Sequence, residues 1–289
     1  MATGAILNEN GTAATDPAPN PMVNVRDYGA KGDSVTDDTK AIQAAAADLA
    51  RIPGYFNGAA TLYFPAGRYL ISEPIILPPT AVDIQGNNEN TSIANTYTGT
   101  TAGPGDVFRI ASASGASGIS FTISNLWVQP GKLGKGLTTT DPTETRINDF
   151  RALNVRFDSG LFGCYLKDVV NARFVSCTFM NSRVGCGIEG CIETTFANCN
   201  FSQTTHAGLE VKGMPGNPNE GLYIDNCIFI NNALGLKVYD TVLLNLNGGL
   251  ISANMLGVKI VQCRQVIVSN LWADSYGGAY ENMIPHAPV

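Results

Sequence analysis

The sequence predicts an all-β fold, a single-stranded parallel β-helix in which each repeat of about 22 residues forms one coil. One motif recurs three times, as RFVSCTF, TFANCNF and LYIDNCIF, and each copy places Cys two residues before a closing Phe. The closing position recurs along the chain at intervals of 22, 22, 28, 22 and 21 residues. Its members are Phe157, Phe179, Phe201, Phe229, Ile251 and Trp272.

Two further series keep the same period. One consists of glycines that open a strand-like segment: Gly163, Gly187, Gly208, Gly235 and Gly257. The other consists of large apolar residues: Phe174, Phe196, Ile224, Leu246 and Val268. Repeats of this length with several short strands per unit are typical of solenoids, and the Leu/Asn consensus of leucine-rich repeats is absent.

Period-2 alternation assigns the residues around the Phe series to the inside or the outside of the coils. Cys177, Cys199 and Cys227 share the inward face with the Phe residues, so we expect a buried ladder of small apolar side chains, with a metal or redox site as the alternative. Trp272, as a member of the Phe series, is expected in the core. A second internal ladder of amides is expected two residues after each Phe, at Asn181, Gln203 and Asn231.

One amphipathic helix is predicted near the N-terminus, within residues 36–52. Thr36, Asp37 and Asp38 offer N-cap and first-turn acidic side chains. An apolar stripe follows at helical spacing, formed by Ile42, Ala45, Ala46 and Leu49. A solenoid has open ends with unpaired strand edges, so this helix is interpreted as the cap of the first coil.

The segment NVRDYGAKGDSVTDDTKAIQAA and the later TLYFPAGRYLIS (Thr61–Ser72) resemble the N-terminal motif of the pectate-lyase-like superfamily. Within that group the chain looks most like bacteriophage tailspike depolymerases. The resemblance implies a right-handed parallel β-helix over residues 22–280 and an activity on carbohydrate. It assigns no catalytic residue, because the paired Asp and Gly-His-Gly of polygalacturonases and the Tyr/His/Lys/Asp set of alginate epimerases are not reproduced. The histidines are His206 and His286.

Composition limits the partners and the location. A net charge of −6 without a Lys/Arg run argues against nucleic acid, and no apolar stretch approaches membrane-spanning length. Seven cysteines fit no disulfide framework. Residues 1–21 are predicted to form a flexible arm, and they contain no recognisable export signal. The tailspike resemblance implies a virion part in the phage tail, and the missing export signal favours this part, assembled in the cytoplasm, over a secreted enzyme. Non-classical export to the outside is the alternative.

The outward position of the glycine-led strand is occupied in turn by Tyr165, Glu189, Glu210, Lys237 and Lys259, and the candidate catalytic residues among them are Glu189 and Glu210. Stacked coils lie about 4.8 Å apart, so Glu189 and Glu210 are expected as direct neighbours, close to the ~5–5.5 Å carboxyl separation of retaining glycosidases. Coupling would raise one of the two pKa values. The alternative is a solvated face on which each Glu pairs with Lys or Arg.

Other residues complete the predicted site. His206 is a candidate proton shuttle, and Asp225 is a further exposed acid. Lys237 on the next coil and Lys212, which begins the inserted loop Lys212–Glu220, are candidates for substrate binding. Three tyrosines are candidate platforms for sugar rings: Tyr165, Tyr223 and Tyr239.

The expected function is binding and cleavage of a bacterial surface polysaccharide along the β-helix flank, by glycoside hydrolysis with paired carboxylates and without a cofactor. One alternative is a polysaccharide lyase or epimerase that uses Ca²⁺. The other is a non-catalytic adhesin or structural spike. Residues 281–289 are expected to form a short tail without a second amphipathic helix, so either the chain is a fragment of a longer spike or other subunits cover this end. The family resemblance implies a homotrimer.

Overall fold

The computed structural model describes residues 22–51, 60–111, 117–139, 146–214 and 216–274. The arm 1–21, the tail 281–289 and His286 lie outside the described residues. The N-terminal strands are β1 (Met22–Asn24), β2 (Asp33–Asp37), β3 (Ala60–Tyr63), β4 (Gly67–Ile71), β5 (Ile75–Leu77), β6 (Val82–Gln85), β7 (Thr91–Asn95), β8 (Phe108–Ile110), β9 (Ser117–Gln129), β10 (Lys135–Thr139) and β11 (Arg146–Asp158).

Shorter strands then repeat in groups of three per coil. They are β12 (Phe162–Lys167), β13 (Val170–Val175), β14 (Thr178–Met180), β15 (Val184–Glu189), β16 (Ile192–Ala197), β17 (Asn200–Ser202), β18 (Ala207–Lys212), β19 (Asn219–Asp225), β20 (Ile228–Ile230), β21 (Leu234–Tyr239), β22 (Thr241–Asn247), β23 (Leu250–Ser252), β24 (Leu256–Val261), β25 (Arg264–Ser269) and β26 (Trp272–Ala273). Two short 3₁₀ helices span Val25–Tyr28 and Asn88–Asn90.

Every strand pairs in parallel with the equivalent strand of the next coil, which confirms the predicted parallel β-helix. For example, β12 pairs with β15, β15 with β18, and β18 with β21. Eight strands form one continuous sheet, here called the flank sheet: β5, β8, β10, β12, β15, β18, β21 and β24. The other strands, linked into an 18-stranded sheet, make the remaining faces of the coil.

Left-handed residues turn the chain at the corners of each coil. In the coil of β12–β14 they are Asp168, Ser176 and Asn181, with φ of 55°, 54° and 54°. Gln203 and Asn231 repeat the Asn181 corner with φ of 55° and 56°. Asn181, Gln203 and Asn231 are exposed, so the predicted internal amide ladder is wrong at these positions.

The internal polar ladder lies one residue further along the chain. Asn232 is buried, and its Nδ2 donates to the carbonyl of Phe201 and to Oδ1 of Asn254, both at 2.9 Å. Oδ1 of Asn232 accepts from the amide of Thr204 at 3.1 Å. The corner residue itself points outward because its left-handed backbone reverses the alternation, and the next residue turns in.

The core is organised around stacked phenylalanines, as the period predicted. The rings of Phe157, Phe179, Phe201 and Phe229 are fully buried, with successive centroids 5.2, 4.8 and 4.7 Å apart and nearly parallel planes. Cys177, Cys199 and Cys227 are buried free thiols beside them. Trp272 is not in this column. Ile251 pairs with Ala273, and the Trp272 side chain is 68% exposed.

Helix α1 (Thr39–Leu49) is the one α-helix among the described residues, and it packs on β1, β3, β5 and the first 3₁₀ helix. Its stripe of Ile42, Ala45, Ala46 and Leu49 is buried, which confirms the predicted apolar face. The helix begins later than predicted because Asp33–Asp37 is strand β2. The Asp38 carboxylate accepts from the amides of Lys31 and Gly32, and Asp37 accepts from the amide of Thr39 at 3.0 Å.

No helix in the described ranges has the length and apolar character needed to cross a bilayer.

Replacement of Phe179 by Ala should lower the free energy of unfolding by about 3–5 kcal/mol, because the ring is fully buried between Phe157 and Phe201 and its loss leaves a cavity in the stack. Denaturant unfolding followed by circular dichroism would measure this. Met255→Ala is the control, since Met255 is 76% exposed and should change stability by less than about 0.5 kcal/mol. Equal effects of the two substitutions would contradict the stacked core.

Candidate functional site

The flank sheet carries two outward columns of side chains, each running along the helix axis. The first column contains Arg109, Thr138, Tyr165, Gly187, Glu210, Lys237 and Lys259. The second contains Lys167, Glu189, Lys212 and Tyr239. Glu189 and Glu210 therefore belong to different columns, and the prediction that they are direct neighbours is wrong.

The error comes from the choice of glycine in VGCGIEGC. Gly185, and not Gly187, continues the glycine series, because a Cβ at Gly185 would lie 2.4 Å from the carbonyl oxygen of Gly208 and 3.0 Å from Cβ of Phe179. Gly163 and Gly208 make the same close approach to the next coil. The two glycines are two residues apart, so either choice gives the same pattern of inward and outward side chains. The pattern alone therefore could not show which glycine belongs to the series.

Glu189 is held by a phenol and a lysine. Tyr165 Oη donates to Oε2 of Glu189 at 2.5 Å, and Lys167 Nζ lies 3.5 Å from Oε1. Burial raises the pKa of Tyr165, and the hydrogen bond to Glu189 raises it further, so this phenol stays protonated. Lys135 Nζ lies 4.5 Å from the centroid of the Tyr165 ring. Burial lowers the pKa of Lys135.

Glu210 is almost fully buried and is surrounded by nitrogen atoms. Its Oε1 lies 2.7 Å from Lys237 Nζ, 3.3 Å from Lys212 Nζ and 3.6 Å from His206 Nε2. Burial acts to raise the pKa of Glu210, but the Lys237 hydrogen bond and the charge of Lys212 outweigh it, and the pKa lies below its ordinary value. Glu210 is therefore an ionised carboxylate. The expected raised pKa of one member of a carboxyl pair is not found at this residue.

His206 contacts the same lysine. Its Nε2 lies 3.0 Å from Lys237 Nζ. An ammonium has donors and no acceptor, so this contact assigns the Nε2 lone pair of a neutral imidazole as the acceptor. The structure thus brings together His206, Glu210, Lys212 and Lys237 in one cluster, which the sequence predicted only as separate candidates.

Two predicted site residues lie elsewhere. Asp225 and Tyr223 are in β19, which belongs to the 18-stranded sheet and not to the flank sheet. The Asp225 carboxylate accepts from Asn247 Nδ2 at 3.3 Å. Tyr239 does lie on the flank, where its ring centroid is 5.4 Å from Lys237 Nζ.

Several flank residues were missed in the sequence, among them Lys135, Lys167 and Arg109. The segment Lys135–Thr139 contains Gly136, which stacks on Gly163 and so begins the glycine series one coil earlier. Extending that series backwards would have found this coil. Lys167 pairs with Glu189 in the second column. It was missed because the wrong choice of glycine placed Glu189 in the first column, so that the second column was not recognised.

Two adjoining cavities form a groove along the flank sheet, here called the flank groove. One, of about 290 Å³, is lined by Lys135, Phe162, Tyr165, Glu189, Glu210 and Lys212 among others. The other, of about 350 Å³, is lined by Asp106, Arg109, Lys135 and Thr138 among others. Ala102 and Lys135 line both, so the two cavities adjoin each other.

The lining of the flank groove holds as many carboxylates as basic side chains, and the two lysines bonded to its carboxylates, Lys167 and Lys237, give this face a basic excess although the chain has a net charge of −6. Basic side chains in it or bonded to its lining are Arg109, Lys135, Lys167, Lys212 and Lys237. The carboxylates are Asp106, Glu189 and Glu210. Because every carboxylate has a basic partner and basic groups remain in excess, the groove can take an anion.

The Ca²⁺ of the lyase or epimerase alternative stays a prediction, and the three carboxylates of the flank groove each have a basic partner. Ca²⁺ takes six to eight oxygen ligands, and no group of three or more His, Cys, Asp or Glu side chains in the described ranges could hold a metal ion. Glu189 and Glu210 are already bonded to Tyr165 and Lys237.

Two protein-family models match the chain. One, described as rhamnogalacturonase A/epimerase, pectate lyase-like, covers residues 22–106. The other, the right-handed β-helix region, covers residues 143–271. They confirm the resemblance drawn from the N-terminal motif, and the fold is a right-handed parallel β-helix of the pectate-lyase-like kind.

Solved structures share this fold at low sequence identity. The A-module of mannuronan C-5 epimerase AlgE6 from Azotobacter vinelandii has a TM-score of 0.60 at 22% identity, covering 86% of this chain and 75% of that one. Tailspike protein gp49 of Acinetobacter baumannii bacteriophage Fri1, a capsular polysaccharide depolymerase, has a TM-score of 0.52 at 17% identity, covering 89% and 48%.

Curated relatives match only short segments. The non-secreted LysM effector LysM19 of Penicillium expansum is 53% identical over 57 residues, which are 18% of this chain and 4% of the effector. The chain therefore corresponds to a small part of the first curated relatives that it matches.

Replacement of Lys237 by Met should destabilise the protein by ~3 kcal/mol at pH 7, because it leaves the buried Glu210 carboxylate with Lys212 as its remaining lysine. The pKa of Glu210 lies below its ordinary value of 4.5 in the native protein, so the pair stabilises above that pH, and the contribution disappears as Glu210 protonates in acid. The difference between variant and parent should therefore shrink below pH 4.5. Unfolding free energies measured across this pH range would test both statements.

Lys259→Met is the matched control, because Lys259 is the next residue in the same column and is exposed. A pH-independent difference, or an equal loss in the control, would contradict the buried ion pair.

Proposed function

We propose that this chain, a right-handed parallel β-helix of the pectate-lyase-like kind, binds an acidic polysaccharide lengthwise in the flank groove. The observation that carries the proposal is the excess of basic side chains on one stacked face of an acidic protein. Lysine and arginine form their strongest hydrogen bonds with carboxylates and similar anions. A polymer with one acidic group per repeat meets a new basic group on almost every coil.

The groove also offers an aromatic surface. The rings of Phe162 and Tyr165 lie 5.0 Å apart at an angle of 60°, and both line the same cavity as Lys135 and Lys212. The apolar face of a sugar ring packs on aromatic side chains. Lys212 is 50% exposed and is well placed to reach a sugar carboxylate.

The comparisons support the class of ligand. A mannuronan epimerase and a capsular polysaccharide depolymerase share the fold, and both are named for polysaccharides. Tailspike neighbours also support the predicted location in a phage tail. The homotrimer stays a prediction that sedimentation of the isolated chain would test.

Hydrolysis by Glu189 and Glu210 is not part of the proposal. The two carboxyls belong to different columns, and the pKa of Glu210 is lowered, so it lacks the proton that a general acid needs.

Replacement of Lys212 by Gln should weaken binding of polygalacturonate or polymannuronate about tenfold, through loss of one charge-assisted contact. Calorimetry at low salt would measure it, and added salt should reduce the affinity of the parent chain. EDTA should leave binding unchanged. Lys40→Gln on α1 removes the same charge at a residue that does not line the groove and is the control. Equal binding to a neutral glucan, or salt-independent affinity, would contradict the proposal.

A second function is favoured by the contact between His206 and Lys237. A substrate carboxylate that takes Lys237 as its partner would release the His206 Nε2 lone pair. The basic groups around that carboxylate would stabilise the negative charge that develops when the neighbouring carbon loses its proton. His206 would then be the base. Cleavage of the bond from the next carbon to the glycosidic oxygen, which takes its proton from solvent or from protonated His206, would give an unsaturated sugar, and return of a solvent proton to the opposite face of the first carbon would give an epimer.

His206→Gln should abolish this step and leave polymer binding within about twofold, because the lysines that bind the carboxylate remain. Ultraviolet absorbance of the unsaturated product reports elimination, and deuterium uptake from heavy water at the same carbon reports epimerisation. New reducing ends without either signal would indicate hydrolysis and contradict this assignment.

A further inference from the structure

A second groove lies on a different face of the solenoid. It has a volume of about 280 Å³ and is lined mainly by Asn88, Trp127, Asn154, Arg156, Ser176 and Thr178. These residues come from the second 3₁₀ helix, from β9, β11 and β14, and from the corner before β14. The three strands belong to the 18-stranded sheet, and none of the lining residues lines the flank groove. The volume approaches the ~300 Å³ at the lower end of small-molecule sites, which is suited to a single sugar unit.

Arg156 is held in one orientation within this groove. Its Cζ lies 4.1 Å from the centroid of the Trp127 ring, and its Nη2 donates to Oδ2 of Asp158 at 2.9 Å. Asp158 is buried and accepts from Asn181 Nδ2 at 2.9 Å through its other oxygen. The side chain of Arg156 is nevertheless 44% exposed. The stacked ring and the buried carboxylate thus fix a guanidinium that remains accessible.

Arg156 keeps hydrogen-bond donors that its bond to Asp158 does not use. A guanidinium has five N–H donors in a planar fork, and Asp158 engages Nη2. Side chains that suit sugar hydroxyls surround it. Thr178 is the next residue in the same column, and Asn154 and Ser176 stand at left-handed corners with φ of 53° and 54°.

We propose that the groove of Trp127 and Arg156 is a separate binding site for a carboxylate-bearing sugar. The carboxylate binds the free edge of the Arg156 fork, and the sugar ring packs beside Trp127, with hydroxyls on Asn154 and Thr178. A planar fork held against an aromatic ring recognises a carboxylate in a geometry that a lysine does not offer. The proposal does not depend on the flank groove, because the two sites share no residue.

Trp127 itself provides the measurement. The chain has two tryptophans, so Trp272→Phe leaves Trp127 as the single indole. In that background, trigalacturonate at millimolar concentration should change the Trp127 emission in a saturable way, and maltotriose should not. Arg156→Gln should weaken the response at least tenfold. Arg156→Lys, which keeps the charge but not the fork, should recover only part of it. Arg173→Gln, at an exposed arginine of β13, is the control.

The flank variant separates this site from the proposed function. Lys212→Gln in the same background should leave the Trp127 response unchanged, whereas it weakens the binding that calorimetry measures. Calorimetric binding without a Trp127 response would overturn the second site and leave the flank proposal standing. A Trp127 response that survives Arg156→Gln, or an equal response to maltotriose, would also overturn it.

Discussion

The structure depends on one constraint: each coil must return the chain to the same position one strand spacing, about 4.8 Å, along the axis. Left-handed residues at the corners meet this constraint, and they recur with φ near 55° at Ser176, Asn198 and Asn226. Asn tolerates this conformation better than most residues. Because the corners fix where each strand begins, they also fix which side chains stack in the core and which stack on the flank.

The corners explain why the period survives an insertion. The 28-residue step places extra residues between β18 and β19, and yet β16 pairs in register with β19 and β19 with β22. The added chain leaves the coil at a corner and returns to it, so the Phe stack continues from Phe201 to Phe229 without a shift. A corner can absorb length that a strand cannot, because a strand that gains one residue turns every later side chain to the opposite face.

Sequence alone predicted the fold, the Phe and Cys columns of the core and the capping helix, because a repeat period is recorded in many residues at once. The predicted site instead depended on the register of one strand, β15. Gly185 and Gly187 give the same alternation of inward and outward side chains, so the alternation did not reveal that Glu189 had been assigned to the wrong column, that of Glu210. Trp272 shows the opposite case. A strict step of 22 from Ile251 leads to Ala273, so the last step of 21 already indicated that Trp272 lies outside the Phe column.

The carboxylates of the flank are better understood as counter-charges than as catalysts. Lys237, Lys212 and His206 all lie within 3.6 Å of one oxygen of Glu210. Without that carboxylate the ammonium groups of Lys212 and Lys237 would repel each other at close range in a partly buried position. With the Glu210 carboxylate present, the cluster is stable but keeps only a small net positive charge per coil. A single sugar carboxylate therefore gains little binding free energy. A polymer that contacts several coils sums these small contributions but loses its freedom of translation and rotation only once. The arrangement of charge favours a polymer over its monomer.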